Sequence, residues 1–155
     1  MKEIRLTKNK ITIVDDMDYE KLNKYKWHTL SKKYTFYAVR KPKSGVILMH
    51  REIMGLINKD NLQVDHKDGN GLNNQRSNLR ICNNGQNQMN KGKQSNNTSG
   101  YKGVNYKKEK NKWQANIEFK GKLSFLGYFA TKEEAAKVYD KKARELFDEF
   151  AKTNF

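Results

Sequence analysis

The sequence is poor in the residues that cross-link or interrupt a chain. Its 155 residues include one cysteine, Cys82, and one proline. A single cysteine excludes an intramolecular disulfide and every zinc knuckle built from several cysteines. Long apolar runs are also lacking, and the first twenty residues contain Asp15, Asp16 and Asp18. We therefore expect neither a signal peptide nor a membrane span, and an intracellular protein.

Acidic residues are scarce beside basic ones. The chain has 32 Lys and Arg against 17 Asp and Glu, a net charge of +15. Residues 1–90 carry 17 basic and 9 acidic groups (net +8), and residues 91–155 carry 15 and 8 (net +7), so both halves share the excess. Such a charge favours nucleic acid over an anionic membrane, because bound Lys and Arg release counterions from phosphates. Apolar residues make up only 35% of the chain, which predicts two small cores.

Residues 1–56 have the pattern of short strands with helices between them. The period of two expected of half-buried strands occurs at Ile4, Leu6, Ile11 and Ile13. Asp16 or Asp18 is suited to cap a short helix. Further strands are predicted over residues 34–39 and 46–49, and a second helix from about His50 to Leu56.

Residues 62–90 combine strand, turn and helix signals with many asparagines. Asp65-His66 ends a predicted strand, and the turn that follows contains Asp-Gly and Asn-Gly. Asn78 begins a second strand twelve residues after His66, and Asn87 lies nine residues later on a short helix. Turns and caps explain many asparagines by themselves. The order of the four residues nevertheless allows one hairpin and helix to bring them to one face.

This segment, LQVDHKDGNGLNNQRSNLRICNNGQNQMN, resembles the ββα-metal motif of HNH endonucleases in its zinc-free, Asn-rich, homing-type form. The resemblance implies that His66 is the general base of DNA phosphodiester hydrolysis and that Asn78 orients its ring. It implies that Asp65 and Asn87 bind one divalent cation, Mg²⁺ or Mn²⁺, without structural zinc or a small-molecule cofactor.

Other residues near the motif have two interpretations each. Arg76 and Arg80 are candidates for clamping the DNA backbone, or are ordinary solvated side chains. His50 is suited to packing or to a phosphate contact. Asn74 shapes the turn or, as the less favoured interpretation, contacts the metal. Asn90 is a cap or faces the phosphate.

Residues 91–155 predict a second unit after a polar linker. Residues 91–100 contain no apolar side chain, so they are a passive tether or follow a DNA backbone. Strands are predicted over residues 103–108, 112–119 and 122–129, with a helix from Lys132. Thr131 and Glu134 have the spacing of a capping box.

This second unit resembles the AP2 DNA-binding domain over almost its whole length. The resemblance rests on YKGV at 101–104, KW at 112–113, LGYF at 126–129, TKEEAA at 131–136, YD at 139–140 and NF at 154–155. In that family the sheet enters the major groove. The resemblance and the strand alternation together give the DNA-binding candidates Lys102, Asn105, Lys107, Trp113, Gln114, Asn116, Glu118 and Lys122. The alternative is a solvated sheet face.

The sequence departs from the AP2 pattern at several positions. The family often has Arg where this chain has Asn105 and Leu123, and Trp where it has Glu109 and Phe125. The target sequences of AP2 factors therefore do not transfer. Leu123 and Phe125 contact thymine methyl groups or only pack.

These observations predict an α+β protein. Residues 1–90 are expected to form an HNH endonuclease domain (leader 1–56, motif 62–90), residues 91–100 a linker and residues 101–155 an AP2-type domain. The expected partner is double-stranded DNA and not a membrane, with the protein a monomer or a homodimer in the cytoplasm of a bacterial or phage-infected cell. The rival hypotheses are a catalytically inactive DNA-binding regulator and an RNA-binding or structural protein.

Overall fold

The computed structural model describes residues 1–56, 61–93 and 96–155 and divides the chain into two compact units. The first unit is Met1–Asn84 and the second is Gly85–Phe155. Both mix helix and sheet, as the α+β prediction requires. Within the described residues, no helix is both long enough and apolar enough to cross a membrane.

The described residues of the first unit, 1–56 and 61–84, form three small antiparallel sheets. Their elements are β1 (Lys2–Arg5), β2 (Ile11–Val14), α1 (Asp16–Leu22), β3 (His28–Ser31), β4 (Phe36–Arg40), β5 (Ile47–Leu48), α2 (Met49–Ile53), β6 (Gln63–His66) and β7 (Leu79–Cys82). β1 pairs with β2, β6 pairs with β7, and the third sheet has the order β3-β4-β5. The helix α3 (Asn84–Met89) follows β7 directly and contains the division between the units.

One hydrophobic core joins the leader to the hairpin of the first unit. Leu79 of the hairpin lies in the same buried cluster as four residues of the leader, namely Val14, Leu22, Trp27 and Met49. Leader and motif are therefore parts of one folded unit, since neither supplies enough apolar surface for a core alone. Their shared core also determines how the leader meets the residues of the turn.

The structure corrects the prediction for the second leader strand. The side chains of Thr12 and Val14 in β2 are buried in the interior of the unit, whereas Ile11 is 44% exposed. The apolar pattern of β2 therefore predicted the wrong face as the buried one. Thr12 can be buried because its hydroxyl donates a hydrogen bond to the carbonyl of Leu72 at 2.7 Å, which satisfies this polar group.

Both leader helices differ from the sequence prediction at their ends. Asp15 is the residue that precedes α1, and its side chain makes no capping bond to the helix. Its carboxylate instead accepts from the backbone N–H of Arg76 at 2.8 Å. The helix α2 ends at Ile53, before Leu56, and Gly55 follows with a φ of +70°. A left-handed glycine is a common helix stop.

The second unit is a three-stranded antiparallel sheet packed on one long helix. Its strands are β8 (Val104–Lys107), β9 (Lys112–Phe119) and β10 (Lys122–Phe129), and its helix is α4 (Lys132–Phe147). β9 lies between the other two strands. The predicted capping box is present, because Glu134 N–H donates to Thr131 Oγ1 at 3.2 Å and Glu134 accepts from Thr131 N–H at 3.3 Å.

The residues before this sheet differ from the predicted linker. Asn97 Oδ1 accepts from Gly100 N–H at 2.8 Å, and Asn97 Nδ2 donates to the Tyr101 carbonyl at 2.7 Å. Ser99 is buried, with its hydroxyl 2.9 Å from the same carbonyl. Residues 96–100 are thus part of the second unit, while residues 94–95 of the predicted linker lie outside the described residues.

Candidate functional site

The two strands β6 and β7 place the predicted catalytic residues at the end of a hairpin. Asp65 lies opposite Arg80, and His66 lies opposite Leu79. Consecutive residues of a strand point to opposite faces, so Asp65 and His66 have different surroundings. Both side chains are buried.

Asn78 fixes the turn between these strands. Its Oδ1 accepts from the backbone N–H of Asp68 at 3.1 Å, and its Nδ2 donates to Asp68 Oδ1 at 3.0 Å and to the Asn73 carbonyl at 2.8 Å. The structure therefore corrects the role predicted for Asn78, which stabilises the loop and does not bond to the His66 ring. Burial raises the pKa of Asp68. Hydrogen bonds from Asn70, Asn73 and Asn78 together outweigh burial and hold this pKa below its ordinary value.

Asn74, and not Asn78, is the asparagine that contacts the His66 ring. Asn74 Oδ1 lies 3.2 Å from His66 Nε2, and Asn74 Nδ2 donates to Thr12 Oγ1 at 2.7 Å. Thr12 and Asn74 are fully buried. Since the Thr12 hydroxyl donates to Leu72, it accepts from the amide of Asn74, which turns the amide oxygen towards His66. Neutral His66 then carries its proton on Nε2, and Nδ1 is the basic nitrogen.

Two further rings surround His66. The centroid of His50 lies 4.9 Å away in an edge-to-face arrangement, and that of Tyr37 lies 5.8 Å away. Gly71 is required beside these rings, because a Cβ there would lie 2.6 Å from the Tyr37 ring and 2.4 Å from the carbonyl oxygen of Phe36. The turn can approach β4 this closely only without a side chain at that position.

Burial disfavours the charged form of both imidazoles. It lowers the pKa of His50 to about 3, with a further contribution from the charge of His66. It also lowers the pKa of His66, against hydrogen bonding to Asn74 and the charges of Asp68 and Asp65. Nδ1 of His50 has no hydrogen-bond partner among the described residues. Of the two roles predicted for His50, the structure supports packing.

The two arginines of the motif form ion pairs within the protein. Arg80 donates from Nε at 3.0 Å and from Nη2 at 2.8 Å to Asp65 Oδ2, and both side chains are buried. Arg76 makes two bonds of 2.8 Å to the carboxylate of Asp18. The hairpin register buries the Arg80 guanidinium against Asp65, so Arg80 is not a solvated side chain. The Arg76 side chain remains 42% exposed while it pairs with Asp18, so backbone clamping by Arg76 stays a prediction.

The remaining predicted motif residues lie on or after α3. Asn87 lies within that helix and Asn90 directly follows it, both in the part of the chain that belongs to the second unit. Across residues 1–56, 61–93 and 96–155, no group of three or more His, Cys, Asp or Glu is arranged to hold a metal. The predicted ligand pair has only one such side chain, Asp65, and remains a prediction.

The second unit presents a mixed polar and apolar surface on the side of its sheet away from α4. Ala115 and Ile117 of β9 are buried together with Ala135 and Tyr139 of the helix. The register therefore assigns alternate residues to the opposite side, which we call the outer face. The outer face consists of Asn105, Lys107, Lys112, Gln114, Asn116, Glu118, Leu123, Phe125 and Tyr128.

Three predicted DNA-binding residues do not belong to this face. Lys102 donates from Nζ to the Met89 carbonyl at 2.7 Å, and burial with the nearby charge of Lys152 lowers its pKa to about 8. Trp113 packs against the core on the helix side and contacts the ring of Tyr106. Lys122 pairs with Phe119 at the exposed end of the sheet. A basic or aromatic residue type predicts a surface group, but it does not show on which side of the sheet the residue lies.

Comparisons with known proteins match the segment that contains the β6–β7 hairpin. A family model described as HNH endonuclease matches residues 48–89. An uncharacterized HNH endonuclease of Acanthamoeba polyphaga mimivirus is 36% identical in an alignment 138 residues long, which covers 86% of this chain and 68% of the viral protein. Protein 3.8 of Escherichia phage T7 is 35% identical over 89 residues, which are 57% of this chain and 73% of the phage protein. No solved structure matches.

These similarities define a protein of the nuclease class, whose substrate is a nucleic acid. The chain belongs to the HNH endonuclease family.

Proposed function

We propose that this chain is a metal-dependent endonuclease that hydrolyses phosphodiester bonds of double-stranded DNA with His66 as general base. The observation that carries the proposal is the buried hydrogen-bond chain from His66 through Asn74 to Thr12. A base is effective only if one ring nitrogen has a lone pair at neutral pH and the ring is fixed. Asn74 fixes Nε2, and burial lowers the pKa of the imidazole.

In the proposed reaction, His66 Nδ1 removes a proton from a water molecule, and the resulting hydroxide attacks the phosphorus. The bond from phosphorus to the 3′-oxygen breaks, and the departing oxygen takes a proton from a solvent water molecule, giving a 5′-phosphate and a 3′-hydroxyl. The hydroxide left by that water later removes the proton from His66. The imidazolium formed on His66 continues to donate from Nε2 to Asn74 Oδ1. Its positive charge is favoured by Asp68 and Asp65, whose charges oppose the fall in the pKa of His66.

Asp65 and Asn87 are proposed to bind one divalent cation, Mg²⁺ or Mn²⁺. Their carboxylate and carboxamide oxygens are hard donors, which suits these ions and not zinc. The Asp65 carboxylate already lies beside a cationic group in a buried place, because it pairs with the Arg80 guanidinium. When bound, a divalent cation stabilises negative charge on the phosphate and on the departing oxygen. Arg80 competes with the cation for Asp65.

The second unit is proposed to act as an AP2-type module that positions the nuclease on DNA. Its exposed lysines and carboxamides are residue types that bind phosphates and base edges. One motif supplies one reacting centre, so a monomer nicks one strand and a double-strand break needs a dimer or a second event. A homing-like role in the cytoplasm of a bacterial or phage-infected cell is consistent with this activity.

A supercoiled-plasmid assay tests the proposal. The full chain should convert supercoiled plasmid to open circles with Mg²⁺ or Mn²⁺ and not with EDTA. His66→Ala should reduce the rate by about 10²- to 10⁴-fold, the usual contribution of a general base, while DNA affinity is kept. Lys67→Ala is a matched control, since Lys67 follows His66 and its exposed ammonium donates to the Ser77 carbonyl. Equal rates for His66→Ala and the parent protein would exclude His66 as the base.

A catalytically inactive DNA-binding regulator is the second candidate. The buried pair of Arg80 and Asp65 favours it, because a guanidinium that stays on this carboxylate keeps a cation away. Calorimetric titration with Mn²⁺ separates the two candidates. Binding that Asp65→Asn removes supports the enzyme, whereas DNA binding without Mn²⁺ binding or cleavage supports the regulator.

A further inference from the structure

The outer face of the second unit holds three carboxamides that the protein itself does not use. Gln114 lies opposite Asn105 in the register, and Asn116 is two residues further along β9. None of these three side chains makes a hydrogen bond to any described residue. Each retains its full set of donors and acceptors, and a carboxamide can pair with N6 and N7 of adenine through two hydrogen bonds.

Large apolar side chains lie directly beside these carboxamides. Phe125 is opposite Asn116, and Tyr128 is opposite Gln114. Phe125 is 55% exposed, and Leu123, further along the same strand, is 66% exposed. The Phe125 and Tyr128 rings contact each other with their centroids 4.9 Å apart. An exposed apolar cluster of this kind marks a surface that binds a partner.

An A·T base pair offers both features in the major groove. Adenine presents the N7 acceptor and the N6 donor, and thymine presents an apolar methyl group beside them. A carboxamide and an apolar side chain on neighbouring strands match these two groups. Glu118, opposite Leu123, accepts only and suits an exocyclic amino group.

The basic residues of this unit are arranged for phosphates and not for guanine. Residues 91–155 contain one arginine, Arg144, which lies in the last turn of α4 and not on the sheet. Both arginine and lysine can read guanine, but the planar guanidinium of arginine fits two acceptors at once, whereas the lysine ammonium is a point charge that also suits phosphates. The lysines of the sheet lie at the ends of β9, namely Lys107, Lys108, Lys110 and Lys112 at one end and Lys120 and Lys122 at the other. Ammonium groups lie at both ends of the sheet, and that of Lys110 reaches the outer face, 4.9 Å from the centre of the Tyr128 ring.

We propose that the outer face recognises A·T base pairs in the major groove. Asn105, Gln114 and Asn116 contact adenine edges, Leu123 and Phe125 contact thymine methyl groups, and the terminal lysines bind the flanking phosphates. This inference rests on the proposed DNA binding by the second unit and names the base composition that it selects.

The first experiment changes the DNA and leaves the protein intact. The full chain with His66→Ala, which binds without cutting, is used to select duplexes from a random library, and affinities for the best site are then measured. We expect a run of A·T pairs at the centre of the site. Replacing one contacted thymine by deoxyuridine removes only the methyl group and should weaken binding about fourfold, as expected for one buried methyl.

The second experiment changes the protein. Leu123→Ala and Phe125→Ala should bind thymine and deoxyuridine duplexes equally, since the contact to the methyl group is gone. Met17→Ala is the matched control, because Met17 is an exposed apolar residue on α1, away from the outer face. This control should retain the fourfold preference. If either variant fails to fold, the deoxyuridine measurement on the parent face still decides.

The outcomes separate this inference from the proposed function. Selection of G·C-rich sites, or equal affinity for thymine and deoxyuridine, overturns the inference while DNA binding remains. If Gln114→Ala and Lys107→Met both leave DNA affinity unchanged, the sheet is not the DNA surface, and the targeting proposal also fails. Self-association that is abolished by Leu123→Glu with unchanged DNA affinity would identify the face as a protein interface and also overturn the inference.

Discussion

The turn of the first unit and the outer face of the second use the same side-chain chemistry in opposite ways. In the turn, the carboxamides of Asn74 and Asn78 form hydrogen bonds with other groups of the protein. On the outer face, Asn105, Gln114 and Asn116 make no side-chain hydrogen bond to the described part of the chain. An asparagine-rich sequence therefore does not show which carboxamides build a site and which are available to a ligand. The difference depends on whether the folded protein supplies hydrogen-bond partners for each side chain.

The largest expected effect compares one carboxamide from each region. Asn74→Ala should lower the cleavage rate at saturating DNA by about 10- to 100-fold, the usual loss when the partner of a working histidine is removed. Asn116→Ala should leave that rate unchanged and weaken DNA binding. Single-turnover cleavage and equilibrium binding of both variants measure the split. A cleavage rate for Asn74→Ala equal to that of the parent would mean that the ring needs no partner.

Protonation of His50 gives the next effect, on stability. His50 has a pKa of about 3 in the folded chain and an ordinary value of 6.5, so between these values the unfolded state binds more protons. This contribution to stability is complete above the ordinary value and declines as the pH falls towards the folded pKa. By about pH 5 the decline amounts to about 2 kcal/mol.

His50→Phe should remove this decline, because phenylalanine does not titrate. Thermal unfolding of the parent and the variant, each at neutral pH and at about pH 5, measures the difference. An identical acid sensitivity in both proteins would assign the effect to other groups. His28→Phe is a suitable control, because His28 is a histidine of the same unit that lies outside the ring cluster around His66.

How far the sequence predicts this molecule differs between its parts. The bounds of β9 and β10 and the capping box of α4 follow from local patterns, since alternation and caps involve neighbouring residues. The pairing of Asn74 with Thr12 spans 62 residues, and nothing local distinguishes Asn74 from Asn78. Thr12 itself lies between two isoleucines, so the apolar pattern predicted the opposite face of β2. Asp65 and Arg80 face each other only through the hairpin register.

The Thr12 hydroxyl allows a smaller and more specific test. Thr12→Val removes the acceptor of the Asn74 amide and should cost about 1–3 kcal/mol of stability, the usual penalty for an unsatisfied buried group. The ¹⁵N chemical shifts of His66 should show a smaller population with the proton on Nε2. Thr12→Ser keeps the hydroxyl and should restore the parent shifts. A parent-like spectrum for Thr12→Val would show that this contact does not orient the amide.

The smallest effect separates two lysines of the second unit. Lys107→Met should reduce the slope of log affinity against log salt by about 1, because one phosphate contact is lost. Lys102→Met should leave the slope unchanged, since its ammonium donates to the Met89 carbonyl. Filter-binding titrations over a series of salt concentrations measure both slopes. Equal slopes for the two variants would remove the distinction between the outer face and its surroundings.

The contact of β2 with the turn has a consequence for the order of folding. Ile13 N–H donates to the Leu72 carbonyl at 3.0 Å, and Asn74 N–H donates to the Ile13 carbonyl at 2.8 Å. Contacts between such distant segments form slowly, because a long loop must close first. The hairpin is local and can form earlier, but its imidazole acquires the working tautomer only after the leader has docked. On the proposed mechanism, the general base is therefore completed late in folding, when the leader meets the turn.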